Sequence, residues 1–269
     1  MSHCAKGATA GLRASACPFG ADKPAGPPKP DGCFSREQAY PFSMETLHVP
    51  ETVPVMTLPD TVFFPQALLP LHIFEPRYQE MLRDVLASDR LFAVARLNNA
   101  RPPNSKRPEP LHHIASVGII RACQKGDNDT SNLLLQGLCR VEVKEIVRER
   151  PYRVIAVQPI TTIAGTHQAE LEVLRLEVMR LLNLRRRLGT PAPKGMTRFL
   201  ESIDDIDTFA DIAVFNLCDD SAIKQQLLET LETRRRLQLF AASLKGEIET
   251  QRLRRKLQGR LPDDNIADN

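Results

Sequence analysis

The sequence predicts an α+β fold in which a small, strongly twisted sheet or barrel with one inserted helix is followed by a helical subdomain that ends in a long helix. Two observations lead to this prediction. Short strand-like runs fill residues 53–160 and are interrupted by a single helical pattern. From about Gln168 onward the apolar residues recur every three or four positions, which is the period of a helix.

The strand-like runs are short and are bounded by turn-forming residues. The predicted strands cover residues 53–58, part of 68–74, 91–97, 114–122, 132–147 and 152–160. Pro70 disfavours a central, fully paired strand because proline has no amide donor. Gly137 predicts a bend or bulge that divides 132–147 into two pieces. A polar, Pro-rich connector at 98–110 and hairpin-turn chemistry at 125–131 separate the neighbouring strands.

One amphipathic helix is predicted at residues 77–88. Its apolar residues fall at i, i+3, i+4, i+7 and i+8, and they are Tyr78, Met81, Leu82, Val85 and Leu86. Pro76 lies in the first turn, where no amide donor is needed, and Glu75 places a carboxylate near the positive helix end. The sequence therefore predicts a strand, a tight turn and a helix over residues 68–88.

The second half of the chain is predicted to be helical. Helices are expected at about 168–188, at 208–218, after Asp219-Asp220-Ser221, and at 232–257. The Asp-Asp-Ser sequence supplies N-cap chemistry for the third of these. The predicted division of the chain is a disordered, Pro- and Gly-rich tail at 1–49, a barrel at 50–164, a helical subdomain at 165–258 and a second disordered tail at 259–269.

Composition excludes several classes of protein. The formal net charge of the 269 residues is only +3, a weak reason to expect nucleic acid or an anionic membrane as the main partner. No run approaches the roughly 20 apolar residues that span a bilayer, and the N-terminus lacks the apolar centre of a secretory signal. The six cysteines contain no C-x-x-C pair, so we expect reduced thiols in a soluble, cytoplasmic protein.

A family resemblance adds to this pattern. The string PLHIFEPRY at residues 70–78 closely resembles a signature near the start of the Lon protease N-terminal domain. SVGII at 116–120, QGLCRV at 136–141 and KQQLLE at 224–229 resemble later landmarks of that domain, so the resemblance covers about residues 53–257. Cys139 is a departure, because members of the family often carry a basic or polar residue there. The resemblance implies a PUA-like β-barrel, or pseudobarrel, that binds protein or peptide substrates.

Complete Lon proteases also contain an ATPase domain and a Ser-Lys protease domain. The sequence has no G-x-x-x-x-G-K-[ST] phosphate-binding loop and no G-x-S-x-G elbow. We therefore expect a standalone, non-enzymatic binding module that lacks both domains and uses no cofactor and no metal.

The histidines and basic clusters have structural interpretations that we favour. His72, His112 and His113 are expected to be surface or hydrogen-bonded residues, and metal binding by His3, Cys4, Cys17 and Cys33 is disfavoured by their wide spacing. The basic clusters at 185–187, 234–236 and 252–256 are expected to form solvated helix faces.

Exposed apolar residues are the preferred candidates for binding. A module that samples unfolded or exposed polypeptide segments needs shallow apolar surface with a polar border. Phe63, Phe64 and Leu68 lie on a loop between Pro turns that could reach the barrel rim, although they could equally close one end of the core. Two alternatives stay open: RNA binding by the PUA-like barrel and basic helices, and an adaptor that delivers clients to a separate ATP-dependent protease.

Overall fold

A computed structural model of the chain describes residues 48–98, 110–126, 129–190 and 192–258. The described residues form six strands and six helices, which in chain order are β1 (Thr52–Leu58), β2 (Leu68–Ile73), α1 (Pro76–Ala87), β3 (Leu91–Arg96), β4 (Ile114–Lys125), β5 (Ser131–Arg148), β6 (Val154–Ile160), α2 (Gln168–Arg187), α3 (Met196–Glu201), α4 (Ile206–Leu217), α5 (Ser221–Glu229) and α6 (Thr233–Gln258). The predicted tails, apart from residues 48 and 49, and most of the 98–110 connector lie outside the described residues.

The sheet closes on itself through its longest strand. Its hydrogen-bonded order is β2-β5-β4-β3-β1-β6, and β5 also pairs with β6. The strands β5, β4, β3, β1 and β6 therefore form a ring of pairings, and β2 lies outside that ring along β5. β1 and β3 are parallel, whereas the other pairs are antiparallel. The predicted α+β fold with one helix inserted among the strands is confirmed.

Gly137 marks an irregularity in β5, as the sequence predicts, but the predicted division of 132–147 into two pieces is wrong, because β5 continues through the bulge as one strand of 18 residues. The pairing of β4 with β5 shifts register between Val117, opposite Cys139, and Gly118, opposite Gly137. At this point the chain before β2 crosses β5: the Gly137 amide donates to the Ala67 carbonyl at 2.9 Å, and the Gln66 amide donates to the Gly137 carbonyl at 2.9 Å. The bulge therefore fixes the loop that leads into β2.

The inserted helix α1 begins at Pro76 and buries one face. Its buried residues are Tyr78, Met81, Leu82 and Val85. The Tyr78 hydroxyl accepts a hydrogen bond from the Thr57 amide at 3.1 Å, which ties α1 to β1. Glu75 is the N-cap residue, but its carboxylate forms no capping hydrogen bond and instead accepts from Arg77 Nε at 2.9 Å. The charged residues of this signature thus pair with each other at the helix start.

The helical half follows the predicted order, with one addition. Asp220 caps α5 by accepting hydrogen bonds from the amides of Ala222 at 2.7 Å and Ile223 at 3.1 Å. The short helix α3 was not predicted from the sequence. No helix in the described part of the chain has the length and apolar character needed to cross a membrane.

Two apolar clusters account for the core. One takes residues from all five strands of the ring, including Val55, Ala93, Val117, Val141 and Ile155. The other covers the opposite strand faces, α1 and the C-terminal helices, and it runs from Met56 to Ile248. This second cluster joins the sheet to the helices.

A buried ion network crosses the same boundary. Arg140 of β5 donates from Nη1 and Nη2 to the two Asp211 oxygens at 2.7 and 2.6 Å, and from Nε to the Leu228 carbonyl at 3.0 Å. Arg236 of α6 donates from Nη1 to Asp211 at 2.9 Å and to Asp207 at 2.8 Å. Burial raises the pKa of Asp211, and the two guanidinium groups oppose that rise. The network connects β5, α4, α5 and α6.

Candidate functional site

The three residues predicted to bind peptide lie in two different environments. Phe63 and Phe64 are 1% and 0% exposed, whereas Leu68 is 51% exposed. The ring of Phe63 meets the ring of Phe215 edge-on at 6.4 Å, and the Arg140 guanidinium lies 5.8 Å from the centre of the Phe64 ring. Of the two alternatives left open for Phe63 and Phe64, exposure is wrong and closure of the core is confirmed, because both side chains lie between sheet and helices. Peptide binding by Leu68 stays a prediction.

The histidines of the strands and connectors have hydrogen-bond partners. His72 Nδ1 lies 2.8 Å from Asn132 Oδ1, and His112 Nδ1 lies 3.1 Å from Glu229 Oε1. Within the described ranges, no group of three or more His, Cys, Asp or Glu side chains is arranged to hold a metal. The four metal candidates of the N-terminal tail lie outside the described residues.

Two arginines of the basic clusters do not lie on a solvated face. Arg185 is 4% exposed and Arg236 is 0% exposed. Arg185 Nη1 donates to the Leu217 carbonyl at 2.7 Å and to Glu247 Oε2 at 2.8 Å. The expectation of a solvated helix face is wrong for these two residues, because carboxylates and carbonyls of other helices hold them inside.

A groove lies between α1 and the hairpin formed by β4 and β5, and we call it the α1–hairpin groove. Its volume is about 620 Å³. The residues that line it are Gln79, Leu82, Arg83, Leu86, Arg90, Ile120, Arg121, Ala122, Cys123, Lys125, Asp129 and Ser131. Leu68 is not one of them.

The floor of the α1–hairpin groove is apolar. Leu82 and Ile120 are buried at its base, and Leu86 is half-buried beside them. Ala122 and Cys123 continue this apolar surface to the exposed part of β4. A concave apolar surface of this kind can take apolar side chains of a ligand out of water.

The backbone around Arg90 holds the two walls of the groove together. The Arg90 amide donates to the Val85 carbonyl at the end of α1, and the Arg90 carbonyl accepts from the Ile120 amide of β4, each at 3.0 Å. Arg90 has a φ of 62°, in the left-handed region that few residues other than glycine adopt. Its backbone therefore sets the distance between helix and hairpin.

The rim of the groove is mainly basic. Arg83 of α1, Arg90 of the following turn, and Arg121 and Lys125 of β4 lie around it. Arg121 Nε donates to Gln136 Oε1 at 2.6 Å, and Lys125 Nζ lies 3.3 Å from Asp129 Oδ1. No local pattern in the sequence indicates this set, because the four residues are spread over more than forty positions and only the fold brings them together.

The cysteines of the described residues differ in reactivity. Cys123 is exposed in the groove. Burial raises the pKa of the Cys139 thiol to about 11 and that of the Cys218 thiol to about 11. Burial and a raised pKa both slow the reaction of Cys139 and Cys218, so alkylation near neutral pH is expected to label the exposed Cys123 first.

The closed ring of strands, the helix inserted before β3 and the C-terminal helices define a class of α+β module that appears in solved structures. The fold is similar to the N-terminal domain of the Mycobacterium avium complex Lon protease, with a TM-score of 0.56 and 18% identity over 72% of this chain and 98% of that chain. It is also similar to a Lon N-terminal domain protein from Xanthomonas campestris, with a TM-score of 0.52 and 20% identity over 71% of this chain and 97% of that chain.

The chain belongs to the family described as the ATP-dependent protease La (LON) substrate-binding domain, whose model matches residues 52–245. It is 27% identical over 225 residues to a Lon protease of Desulfosudis oleivorans, covering 84% of this chain and 27% of the relative. It is 28% identical over 224 residues to a Lon protease of Dictyoglomus thermophilum, covering 82% of this chain and 27% of the relative. The chain thus spans about a quarter of the length of these curated relatives.

Proposed function

We propose that the chain binds unfolded or exposed polypeptide segments without covalent chemistry, and that the α1–hairpin groove is the binding site. The observation that carries this proposal is the groove itself, which joins a buried apolar floor to an exposed rim at one place on the surface. Its volume of about 620 Å³ is large enough for a few side chains. Membership of a substrate-binding family supports polypeptide as the ligand class.

The proposed contact works by burial and needs no cofactor. Each square ångström of apolar surface that leaves water contributes about 25 cal/mol, so two or three apolar side chains give measurable affinity. The long side chains around the rim can hydrogen-bond to main-chain carbonyls, which every polypeptide offers. Such a site accepts many sequences, because its contacts depend on apolar character and backbone rather than on one residue.

The outer side of β2 is the competing location. Leu68 of β2 is 51% exposed and Phe74, the residue after β2, is 62% exposed, so this part of the chain also presents apolar surface outside the groove. Alternation along the strand explains this, because successive side chains point to opposite faces and Leu69 is buried. One experiment separates the two locations.

The test measures alkylation of Cys123 with and without a cysteine-free, permanently unfolded reporter polypeptide. We expect bound reporter to slow alkylation of Cys123 by about tenfold, because the thiol lies in the proposed site. Peptide mapping by mass spectrometry assigns the signal to Cys123. Failure to bind any unfolded polypeptide contradicts the proposed function.

Two variants locate the site. Ala122→Asp adds a charged group to the exposed part of the groove and is expected to weaken reporter binding by about tenfold, whereas Leu68→Ser on β2 is expected to change it less than about twofold. Melting temperatures check that both variants fold. Weaker binding in Leu68→Ser alone would place the site on β2 instead.

A further inference from the structure

The charges around the α1–hairpin groove are unbalanced, although the chain as a whole is nearly neutral. Among the described residues that line it, four side chains are cationic, Arg83, Arg90, Arg121 and Lys125, and one is a carboxylate, Asp129. Asp129 is paired with Lys125 at 3.3 Å and therefore does not neutralise the three arginines. The groove thus concentrates positive charge beside an apolar floor.

One of the arginine side chains has a partner that orients it before any ligand arrives. Arg121 Nε donates to Gln136 Oε1 on the neighbouring strand at 2.6 Å. The backbone of Arg90 is bonded to Val85 and to Ile120, each at 3.0 Å, which fixes where its side chain leaves the main chain. A group that is already oriented loses less entropy on binding, so Arg121 contributes more to selectivity than a mobile surface lysine.

The apolar floor of the groove limits which anionic ligands can bind. Leu82 and Ile120 are buried at its base, so a ligand that reaches them must bring apolar groups. Apolar groups that exclude water also lower the local dielectric and strengthen the attraction between the rim cations and a carboxylate. Single-stranded nucleic acid is a poorer match, because its bases stack on aromatic side chains and none of the described residues lining the groove is aromatic.

We infer that the α1–hairpin groove selects polypeptide segments in which apolar side chains are flanked by Asp or Glu. This inference rests on the proposed function and adds a substrate class to it. The apolar side chains occupy the floor, and the flanking carboxylates lie against Arg83, Arg90 and Arg121. A segment of the same apolar residues flanked by Lys or Arg meets like charges at the rim and is rejected.

The experiment compares labelled peptides with one apolar centre and three kinds of flank: acidic, uncharged polar and basic. Fluorescence anisotropy with the full chain is expected to give the order acidic, polar, basic, with about a tenfold difference between acidic and basic flanks at low salt. Raising the salt concentration is expected to narrow this difference, because rim charges are screened.

A charge-reversed variant makes the assignment to the groove. In Arg83→Glu/Arg121→Glu the preference is expected to reverse, so that basic flanks bind better than acidic ones. The matched control is Arg180→Glu/Arg187→Glu, two exposed residues of α2 with the same change in net charge. The control is expected to keep the original preference, which distinguishes the groove from the overall charge.

The remaining outcomes contradict the inference in different ways. Equal binding of the three peptides, with Cys123 protected by each, overturns the acidic preference and leaves polypeptide binding in the groove intact. Absence of binding by every peptide, with Cys123 unprotected, contradicts the proposed function itself. Protection of Cys123 by a uridine-rich RNA that displaces the acidic peptide, with a steep salt dependence, overturns the inference in favour of nucleic acid.

Discussion

Gly137 occupies a position in β5 where the neighbouring backbone leaves no room for a side chain. A Cβ atom there would lie 2.1 Å from the Phe64 carbonyl oxygen. The Phe64 carbonyl belongs to the loop before β2. Gln66 and Ala67 of the same loop are hydrogen-bonded to the backbone of Gly137, so the loop cannot move away without breaking these two bonds. We expect Gly137→Ala to lower the free energy of unfolding by about 3 kcal/mol, measured by urea denaturation.

Gly246 provides the matched control for that substitution. It lies in α6, and a Cβ atom there would have no neighbour within 4 Å. Gly246→Ala is expected to raise the free energy of unfolding by about 0.5–1 kcal/mol, because alanine loses less backbone entropy in a helix. A small effect of Gly137→Ala, similar to that at Gly246, would contradict the tight approach of the loop to β5.

At the scale of elements, the buried network joins β5 to three helices through charged groups. Arg140 and Asp211 form a bidentate pair in which both side chains are 2% exposed. Removing one member leaves the other charge buried without its partner. We expect Arg140→Ala to lower the free energy of unfolding by about 3–5 kcal/mol, measured by urea denaturation.

An exposed pair gives the comparison. Lys245 of α6 lies 2.6 Å from Glu177 of α2, and the two side chains are 55% and 37% exposed. Lys245→Ala is expected to cost less than about 1 kcal/mol, because water screens this pair. Equal effects of the two substitutions would show that Arg140 contributes only an ordinary surface contact.

Asp207 makes part of this network dependent on pH. Burial raises its pKa, but attraction to Arg236 and hydrogen bonds from Thr233 at 2.6 Å and Thr162 at 2.8 Å outweigh burial, so the pKa of Asp207 lies below its ordinary value. A lowered pKa stabilises the fold above the unfolded value of about 3.9, and this contribution is lost as pH falls through the lower folded value.

The variant Asp207→Asn tests that dependence. It is expected to be less stable than the wild type by about 2 kcal/mol at pH 7, because a neutral amide accepts weaker hydrogen bonds from Arg236 and the threonines. The difference is expected to shrink as the pH is lowered below 4, since the wild-type carboxylate is then protonated as well. Urea denaturation of both proteins at several pH values measures this difference in the free energy of unfolding. A difference that stays constant with pH would contradict stabilisation by the charged form of Asp207.

Local patterns in the sequence predict most elements of this fold but not the groove. The approximate positions of strands and helices follow from periodicity, and the bulge in β5 follows from Gly137, because these signals act within a few residues. The same glycine does not end the strand, because β5 continues on both sides of it. Helix α3 was missed because its six residues contain too few turns for an apolar repeat. The burial of Phe63, Phe64 and Arg236, and the meeting of Arg83 with Arg121, depend on partners far away in sequence, which no local pattern reveals.

At the scale of the whole molecule, the sheet and the helices share one core. The larger apolar cluster contains Met56 of β1 and Phe92 of β3 together with Phe209 of α4 and Phe240 of α6. The contact of Phe63 with Phe215 and the pairing of Arg140 with Asp211 cross the same boundary. If either half unfolded alone, it would expose apolar surface of the other half to water. It would also break the buried ion network that the two halves share.

We therefore predict that residues 50–164 and 165–258 unfold in a single transition. Cys139 lies in β5 and Cys218 follows α4, so one thiol reports on each half. Pulses of alkylating reagent at increasing urea, followed by peptide mapping, are expected to give the same midpoint for both thiols. A cooperative transition raises the exposure of the half-buried Cys139 and the buried Cys218 together. In Arg140→Ala both midpoints are expected to move to lower urea together. Exposure of Cys218 at lower urea than Cys139 would instead show that the helices unfold independently of the sheet, and that the shared core does not couple them.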